Sequence, residues 1–190
     1  MKWSKLFLLA VMTAIFFACE ETTLPKPMGY YRIDLPPQSY VRWSDADCPY
    51  SFQISKAAKI QPSKKGKECH FDLVYEQYNA TIYFSYLTVK NDLKALVDQE
   101  YAMREKHNAF STGVEERVYR DSIEKVNALV FDVRGIKAAT PLQFFATDSV
   151  QHFLRGALYF YNTPNNDSLA PVIDFIRKDV DTLIASLRWN

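Results

Sequence analysis

The stretch Ala80-Thr-Ile-Tyr-Phe-Ser-Tyr-Leu-Thr88 decides the fold class, because its side chains alternate between two environments. Every second residue is apolar from Ala80 to Tyr86, which is the period of a β-strand with one buried face. A second run of apolar and β-branched residues lies just before it, at residues 70–75, and only four turn-like residues separate the two. The pair therefore predicts a β-hairpin.

Outward from this hairpin, the pattern predicts a mixed domain. Residues 48–54 read as a first strand, and Asn91 or Asp92 can cap a helix that carries Leu93, Leu96, Val97, Glu100 and Tyr101 at helical spacing. Four strand-like stretches follow at residues 114–120, 126–133, 142–146 and 153–161, and they predict an antiparallel meander. A terminal amphipathic helix is predicted from the stripe Val172, Ile173, Ile176, Val180, Leu183, Ile184 and Leu187. This order predicts an α+β fold, an antiparallel β-sheet with helices packed on it, similar to the PsbP/Mog1-like sandwich.

The N-terminus is typical of an exported lipoprotein. Residues 1–18 combine Lys2 and Lys5 with an uncharged apolar run at residues 6–18, as a signal peptide does. That run is shorter than the roughly 20 residues that a membrane-spanning helix needs. We expect cleavage before Cys19 and lipidation of its thiol and amine. In the alternative interpretation Cys19 is an ordinary residue near a plain cleavage site, because Phe16 and Phe17 fit a lipobox only loosely.

Composition and prolines divide the rest of the chain into a tether and one domain. Residues 19–37 contain four prolines and no helical period, so we expect a lipidated, Pro-rich tether whose aromatic second half lies against the domain. Residues 38–190 are expected to form a single α+β domain. Cleavage removes two of the 23 basic residues, so the remaining 21 stand against 22 acidic ones. This balance does not favour a nucleic-acid partner.

Two cysteines remain after lipidation, Cys48 and Cys69, and export favours a disulfide between them. The alternative is a reactive thiol next to His70. Five lysines lie at residues 56–68 and form a basic patch, which is either a solvated loop or a contact for an acidic partner or lipid headgroup.

Motifs for chemistry are scarce. The three histidines, His70, His107 and His152, stand apart without metal-ligand spacing, and no phosphate-binding glycine loop occurs, so no metal or cofactor is expected. The polar cluster near residue 148 brings Asp, Ser and His within five residues, but we interpret it as turn and capping hydrogen bonds rather than a catalytic triad. Ser122 and Ser168 follow aspartates in a pattern resembling O-glycosylation acceptors, which plain Asx-turns or helix caps explain equally well.

Several blocks, in order through the mature chain, resemble one family. They are Pro25-Lys-Pro-x-Gly29-Tyr-x-Arg-Ile-Asp-Leu-Pro36, Cys48-Pro-Tyr-Ser-Phe52, Phe84-Ser-Tyr86, Gln143-Phe-x-Ala-Thr-Asp-Ser149, His152-Phe-Leu-Arg-Gly-Ala-Leu-Tyr-Phe160, Pro164-Asn-x-Asp-Ser-Leu169 and Leu187-Arg-Trp189. This set resembles the gliding-motility lipoprotein GldD family of Bacteroidota. The resemblance implies a part of the envelope apparatus for gliding and type IX secretion, without catalytic activity. His70 departs from the aromatic residue expected after the second cysteine.

We therefore expect a non-catalytic lipoprotein that supports assembly or stability of this machinery through contacts with other envelope proteins. The expected localisation is the outer membrane, with the leaflet undecided. The candidate interaction surface comprises Tyr30, Tyr31, Arg32, Gln143, Thr147, Asp148, Ser149, His152 and Arg155. The alternative is an envelope enzyme or small-ligand binder that uses a groove near Asp148, His152 and Arg155.

Overall fold

A computed structural model of the chain describes residues 32–63, 68–107, 110–163 and 165–190, with the side chain of His107 left out. The predicted signal peptide, Cys19, Tyr30, Tyr31 and three lysines of the basic patch lie outside the described residues, so their predictions stay predictions. Residues Arg32–Asn190 form one compact unit. In the described part of the chain, no helix is both long and apolar enough to span a bilayer.

A seven-stranded antiparallel sheet is the centre of this unit. Its strands are β3 (Lys59–Pro62), β4 (Phe71–Tyr75), β5 (Ala80–Thr88), β6 (Gly113–Asp121), β7 (Val126–Arg134), β8 (Leu142–Thr147) and β9 (His152–Phe160). Their order across the sheet is β3-β4-β5-β9-β8-β7-β6. The predicted hairpin β4-β5 and the meander from β6 to β9 are both confirmed, with a short 3-10 helix, Glu76–Tyr78, between β4 and β5.

A second, three-stranded sheet has the order β1-β2-β10, formed by β1 (Tyr40–Ser44), β2 (Tyr50–Ser55) and β10 (Arg188–Trp189). The sequence prediction found only β2, and it called that strand the first. It also ended the chain on a helix, which is wrong, because β10 follows the helix and pairs with β2. A two-residue strand has no periodicity of its own, so its pairing depends entirely on tertiary contacts.

Two α-helices cover the two faces of the large sheet. Helix α1 (Leu93–His107) packs through Leu93, Leu96, Val97 and Tyr101 against a small core around Phe131, Phe145 and Phe153. Helix α2 (Asn166–Ala185) lies on the opposite face and contributes its apolar stripe to the main core, together with the small sheet. The side chain of Asn165 caps α2 by accepting from the backbone N–H of Ser168. The α+β class is therefore confirmed.

The predicted disulfide between Cys48 and Cys69 is present, with 5.4 Å between the Cα atoms. It joins the loop before β2 to the loop before β4, and so connects the two sheets. The Tyr50 hydroxyl donates to the Cys69 carbonyl at 2.7 Å in the same place. The alternative of a reactive thiol beside His70 is thereby excluded for this structure.

The chain before β1 is attached to the domain. Ile33 and Leu35 pack against the main core, as expected for the second half of the tether. Gln38 donates to Asp179 Oδ1 at 3.4 Å, and Tyr75 donates to the other oxygen of the same carboxylate at 3.1 Å. Burial raises the pKa of Asp179, and these hydrogen bonds oppose that rise in part.

Candidate functional site

The predicted polar cluster forms the β8-β9 turn. One oxygen of Asp148 accepts three backbone N–H bonds, from Val150 at 3.0 Å, Gln151 at 2.8 Å and His152 at 2.8 Å. Partial burial raises the pKa of Asp148, but these three bonds together with the electrostatic effect of His152 lower it by more, so the net pKa lies below its usual value. The carboxylate therefore holds the turn in one shape, and Val150 at its tip is 69% exposed.

A second turn of the same kind lies beside it, between β6 and β7. Asp121 Oδ1 accepts from the backbone N–H of Ile123 at 3.0 Å and of Glu124 at 3.1 Å, which is an Asx-turn. Ile123 at the tip is 87% exposed. The two turns are neighbours because β7 pairs with β8, and Asn127 opposite Thr147 donates to the Ser149 hydroxyl at 3.4 Å. We call residues 122–124 and 148–151 the turn surface.

Trp189, next to the C-terminal residue, packs beside the turn surface and supports it. The ring of His152 stacks on Trp189 with 5.0 Å between centroids and 8° between planes. His152 Nδ1 also makes a 2.7 Å hydrogen bond with the Tyr86 hydroxyl, and Trp189 Nε1 donates to the Lys125 carbonyl at 3.2 Å. His152 therefore fixes the position of the turns by packing.

Two residues predicted for the interaction surface are not on it. Gln143 is 4% exposed and donates to the Thr140 hydroxyl at 2.6 Å. Thr147 is likewise 4% exposed and donates to the His152 carbonyl at 2.6 Å. The reason is that α1 and α2 cover both faces of the large sheet, so alternation along β8 exposes neither side. Thr147 braces the turn, whereas Gln143 lies at the other end of β8, and neither side chain is exposed to contact a partner.

Asp148, His152 and Arg155, which were predicted to line one groove in the alternative interpretation, do not line a common groove. Positions 152 and 155 lie on opposite faces of β9, because side chains alternate along a strand. Arg155 instead lines a cavity of ≈ 420 Å³ beside α1, together with Tyr83, Glu100, Met103, Gln143 and Tyr159, and Asp148 and His152 do not line it. The three residues therefore cannot act on one ligand.

Arg155 has a partner that the sequence analysis missed. Its Nη1 donates to Glu100 Oε1 at 2.8 Å, and Glu100 is buried. Burial raises the pKa of Glu100, while the hydrogen bond and charge of Arg155 lower it by less. The signal that could have found this pair is a glutamate inside the apolar stripe of a helix, since a buried carboxylate requires a partner.

The neighbouring Asp, Ser and His do not form a triad. The Asp148 carboxylate accepts from the turn backbone, Ser149 Oγ accepts from Asn127, and His152 bonds to Tyr86. The interpretation as turn hydrogen bonds is thus confirmed. Among the residues that the structure describes, no group of His, Cys, Asp and Glu is arranged to hold a metal ion; that the protein binds no metal stays a prediction.

The remaining predicted residues lie apart. Arg32 forms an exposed ion pair with Asp34 at 3.3 Å. Ser122 is exposed in the turn surface, whereas Asp167 and Ser168 belong to the first turn of α2. Whether either serine carries a sugar stays a prediction.

Comparison with known proteins assigns the chain to a family. The family described as "Gliding motility lipoprotein GldD" matches residues 20–189, which is nearly the whole described domain and the segment before it. The chain belongs to the GldD family. This confirms the resemblance found in the sequence, gives the chain a role in gliding motility, and places it among lipid-anchored proteins of the cell envelope.

Two further comparisons complete this picture of the GldD-family chain. The solution structure of a cyanobacterial PsbP from Synechocystis sp. PCC 6803 is similar, with a TM-score of 0.48 and 14% sequence identity over 91% of this chain and 98% of that one. That likeness concerns the fold alone. No curated protein matches the sequence.

Proposed function

We propose that this GldD-family chain is a non-catalytic, lipid-anchored protein that supports assembly or stability of the gliding-motility and type IX secretion machinery by binding another envelope protein. Family membership supports the motility role. The turn surface supports the binding role, because it presents the two most exposed large apolar side chains of the described residues. The absence of a hydrogen-bonded triad among Asp148, Ser149 and His152 supports the non-catalytic reading.

The turn surface has the properties of a protein contact. Ile123 and Val150 stand at the tips of two adjacent turns, and each tip is fixed by an aspartate that accepts backbone N–H bonds. A rigid apolar tip loses little conformational entropy on binding, which favours affinity. Polar and charged side chains surround the two tips, Lys125 among them, as at the rim of protein interfaces.

The anchor in this proposal is a lipid on Cys19 after removal of residues 1–18, in the outer membrane. Residues 20–31 connect that anchor to the described domain, and such a segment spans at most about 45 Å when fully extended. The partner should therefore lie close to the same membrane. Intact mass of the purified protein tests the anchor: we expect a diacylglycerol-modified, cleaved chain, and an unmodified Cys19 would overturn it.

Substitution of the turn tips tests the binding role. We expect Ile123→Lys with Val150→Lys to abolish recovery of the partner from crosslinked membranes and to impair gliding, because two lysines replace the apolar centre of the interface. Val41→Lys is the matched control, since Val41 is an exposed valine on the small sheet. All variants should retain the wild-type melting temperature and abundance.

Two results would count against this proposal. Recovery of no partner above background by the wild-type protein removes its basis. Equal recovery by the turn variant and the wild type moves the interface to another surface.

A further inference from the structure

Strand β6 is an open edge of the large sheet. Within the described ranges, β7 pairs with one side of β6 and no strand pairs with the other. β6 has nine residues and no proline, whereas the opposite edge strand, β3, has four residues and ends at Pro62. Short strands and prolines protect an edge from pairing with another chain, and β6 has neither protection.

The charges on β6 are also largely engaged inside the molecule. Glu115 pairs with Arg134, Glu116 with Arg104, and Arg117 with Asp132. Charged side chains protect an edge strand from pairing with another chain when that pairing would bury them without partners. Here their partners are already in place, so these charges do not prevent a further strand from joining the sheet.

The sequence of β6 is self-complementary about Val118. If a second β6 pairs antiparallel with Val118 opposite its own copy, Glu116 of each chain lies opposite Arg120 of the other. Val118 is 66% exposed, and Arg120 is exposed with no carboxylate in ion-pairing reach among the described residues. Opposite charges and apolar pairs across neighbouring strands stabilise a sheet.

The same register brings few like charges opposite each other. Arg117 lies opposite Tyr119, which allows a cation to approach an aromatic ring. Only the outermost pair, Glu115 with Asp121, brings two carboxylates together. Glu115 is already neutralised by Arg134, and Asp121 is engaged with backbone N–H groups of its turn.

We propose that β6 is a homodimer interface, in which two copies of this chain join their large sheets edge to edge about a two-fold axis next to Val118. The interaction is isologous, as in most closed dimers. Backbone hydrogen bonds of the two strands supply the contact, and the Glu116 to Arg120 pairs set its register. Confinement to one membrane raises the effective concentration of the copies, which favours a small interface.

Disulfide trapping in the full-length, membrane-anchored protein tests this arrangement. Directly opposed residues of antiparallel strands have Cα atoms about 4.5–5.5 Å apart, which is within the range of a disulfide. We expect Val118→Cys to give a covalent dimer on mild oxidation of membranes. Ile136→Cys is the control, because Ile136 is an exposed apolar residue outside both β6 and the turn surface. Equal crosslinking of the two variants, or none by Val118→Cys, overturns the proposal.

Charge reversal tests the register in the same Val118→Cys background. Arg120→Glu places two glutamates opposite each other, and Glu116→Arg places two arginines opposite each other, so each variant alone should lose most of the dimer. Co-produced in one cell, the two variants restore both ion pairs, and a mixed dimer of differently tagged chains should return. Failure of the mixture to dimerise while both variants remain folded overturns the register.

Discussion

The ion pair between Glu100 and Arg155 is the residue-level feature that most clearly depends on pH. Burial raises the pKa of Glu100 above its usual value of 4.5, because the opposing effect of Arg155 is smaller. The folded pKa therefore exceeds the unfolded one. The stability that protonated Glu100 contributes is complete below pH 4.5 and is lost as the pH rises through the folded pKa.

We expect Arg155→Ala to lower the free energy of unfolding by about 3 kcal/mol near neutral pH, because a buried carboxylate loses its partner. The deficit should shrink when the pH is lowered towards 5, roughly, since Glu100 can then bind a proton and become neutral. Urea denaturation at the two pH values measures the difference. An equal deficit at both would contradict this account. Arg32→Ala removes an exposed pair and should change stability by less than about 1 kcal/mol.

At the level of elements, the sequence predicted what local periodicity can express. The alternation in residues 80–88 placed β5 correctly, and the apolar stripe from Val172 to Ile184 placed α2. The prediction from the sequence failed for β1 and β10, because short strands are defined by distant partners. Arg188 pairs with Ser51, more than a hundred residues away along the chain, and no pattern near residue 188 contains that information.

In the candidate site, too, local features were predictable from the sequence and contacts between elements were not. The turn chemistry of Asp148 is local, and the sequence predicted it. The burial of Gln143 and Thr147 depends on helices that cover both sheet faces, and the partner of Arg155 comes from a helix 55 positions earlier. Contacts between elements cannot be derived from the spacing within one element.

Strand β10 gives an element-level prediction. Trp189→Ala removes the stack on His152 and the hydrogen bond to Lys125, and should lower the free energy of unfolding by about 2 kcal/mol, since Trp189 is only partly buried. Trp189→Phe keeps a ring in place and should lose less. Hydrogen exchange of residues 148–152 should accelerate in the alanine variant. Unchanged exchange there would show that the turn is held without β10.

At the scale of the whole molecule, the two sheets and α2 enclose the main core, and the disulfide is the covalent link between the sheets. β2 pairs with β1 and β10, while β4 pairs with β3 and β5, so no described strand belongs to both sheets. The sheets are held together by apolar packing around residues such as Phe52 and Phe84, whose rings are 5.8 Å apart, and by Cys48 with Cys69.

Removal of this link should therefore affect the stability of the whole domain. The disulfide spans a sequence separation of 21, for which loss of the cross-link costs about 3 kcal/mol on the chain-entropy model. We expect the double variant Cys48→Ala/Cys69→Ala to unfold at a lower temperature, in a single transition, because the shared core still couples the two sheets. Added reductant should lower the melting temperature of the wild type towards that of the variant and leave the variant unchanged. A reductant-sensitive variant, or a variant with two separate transitions, would mean that something other than this bond and this core joins the sheets.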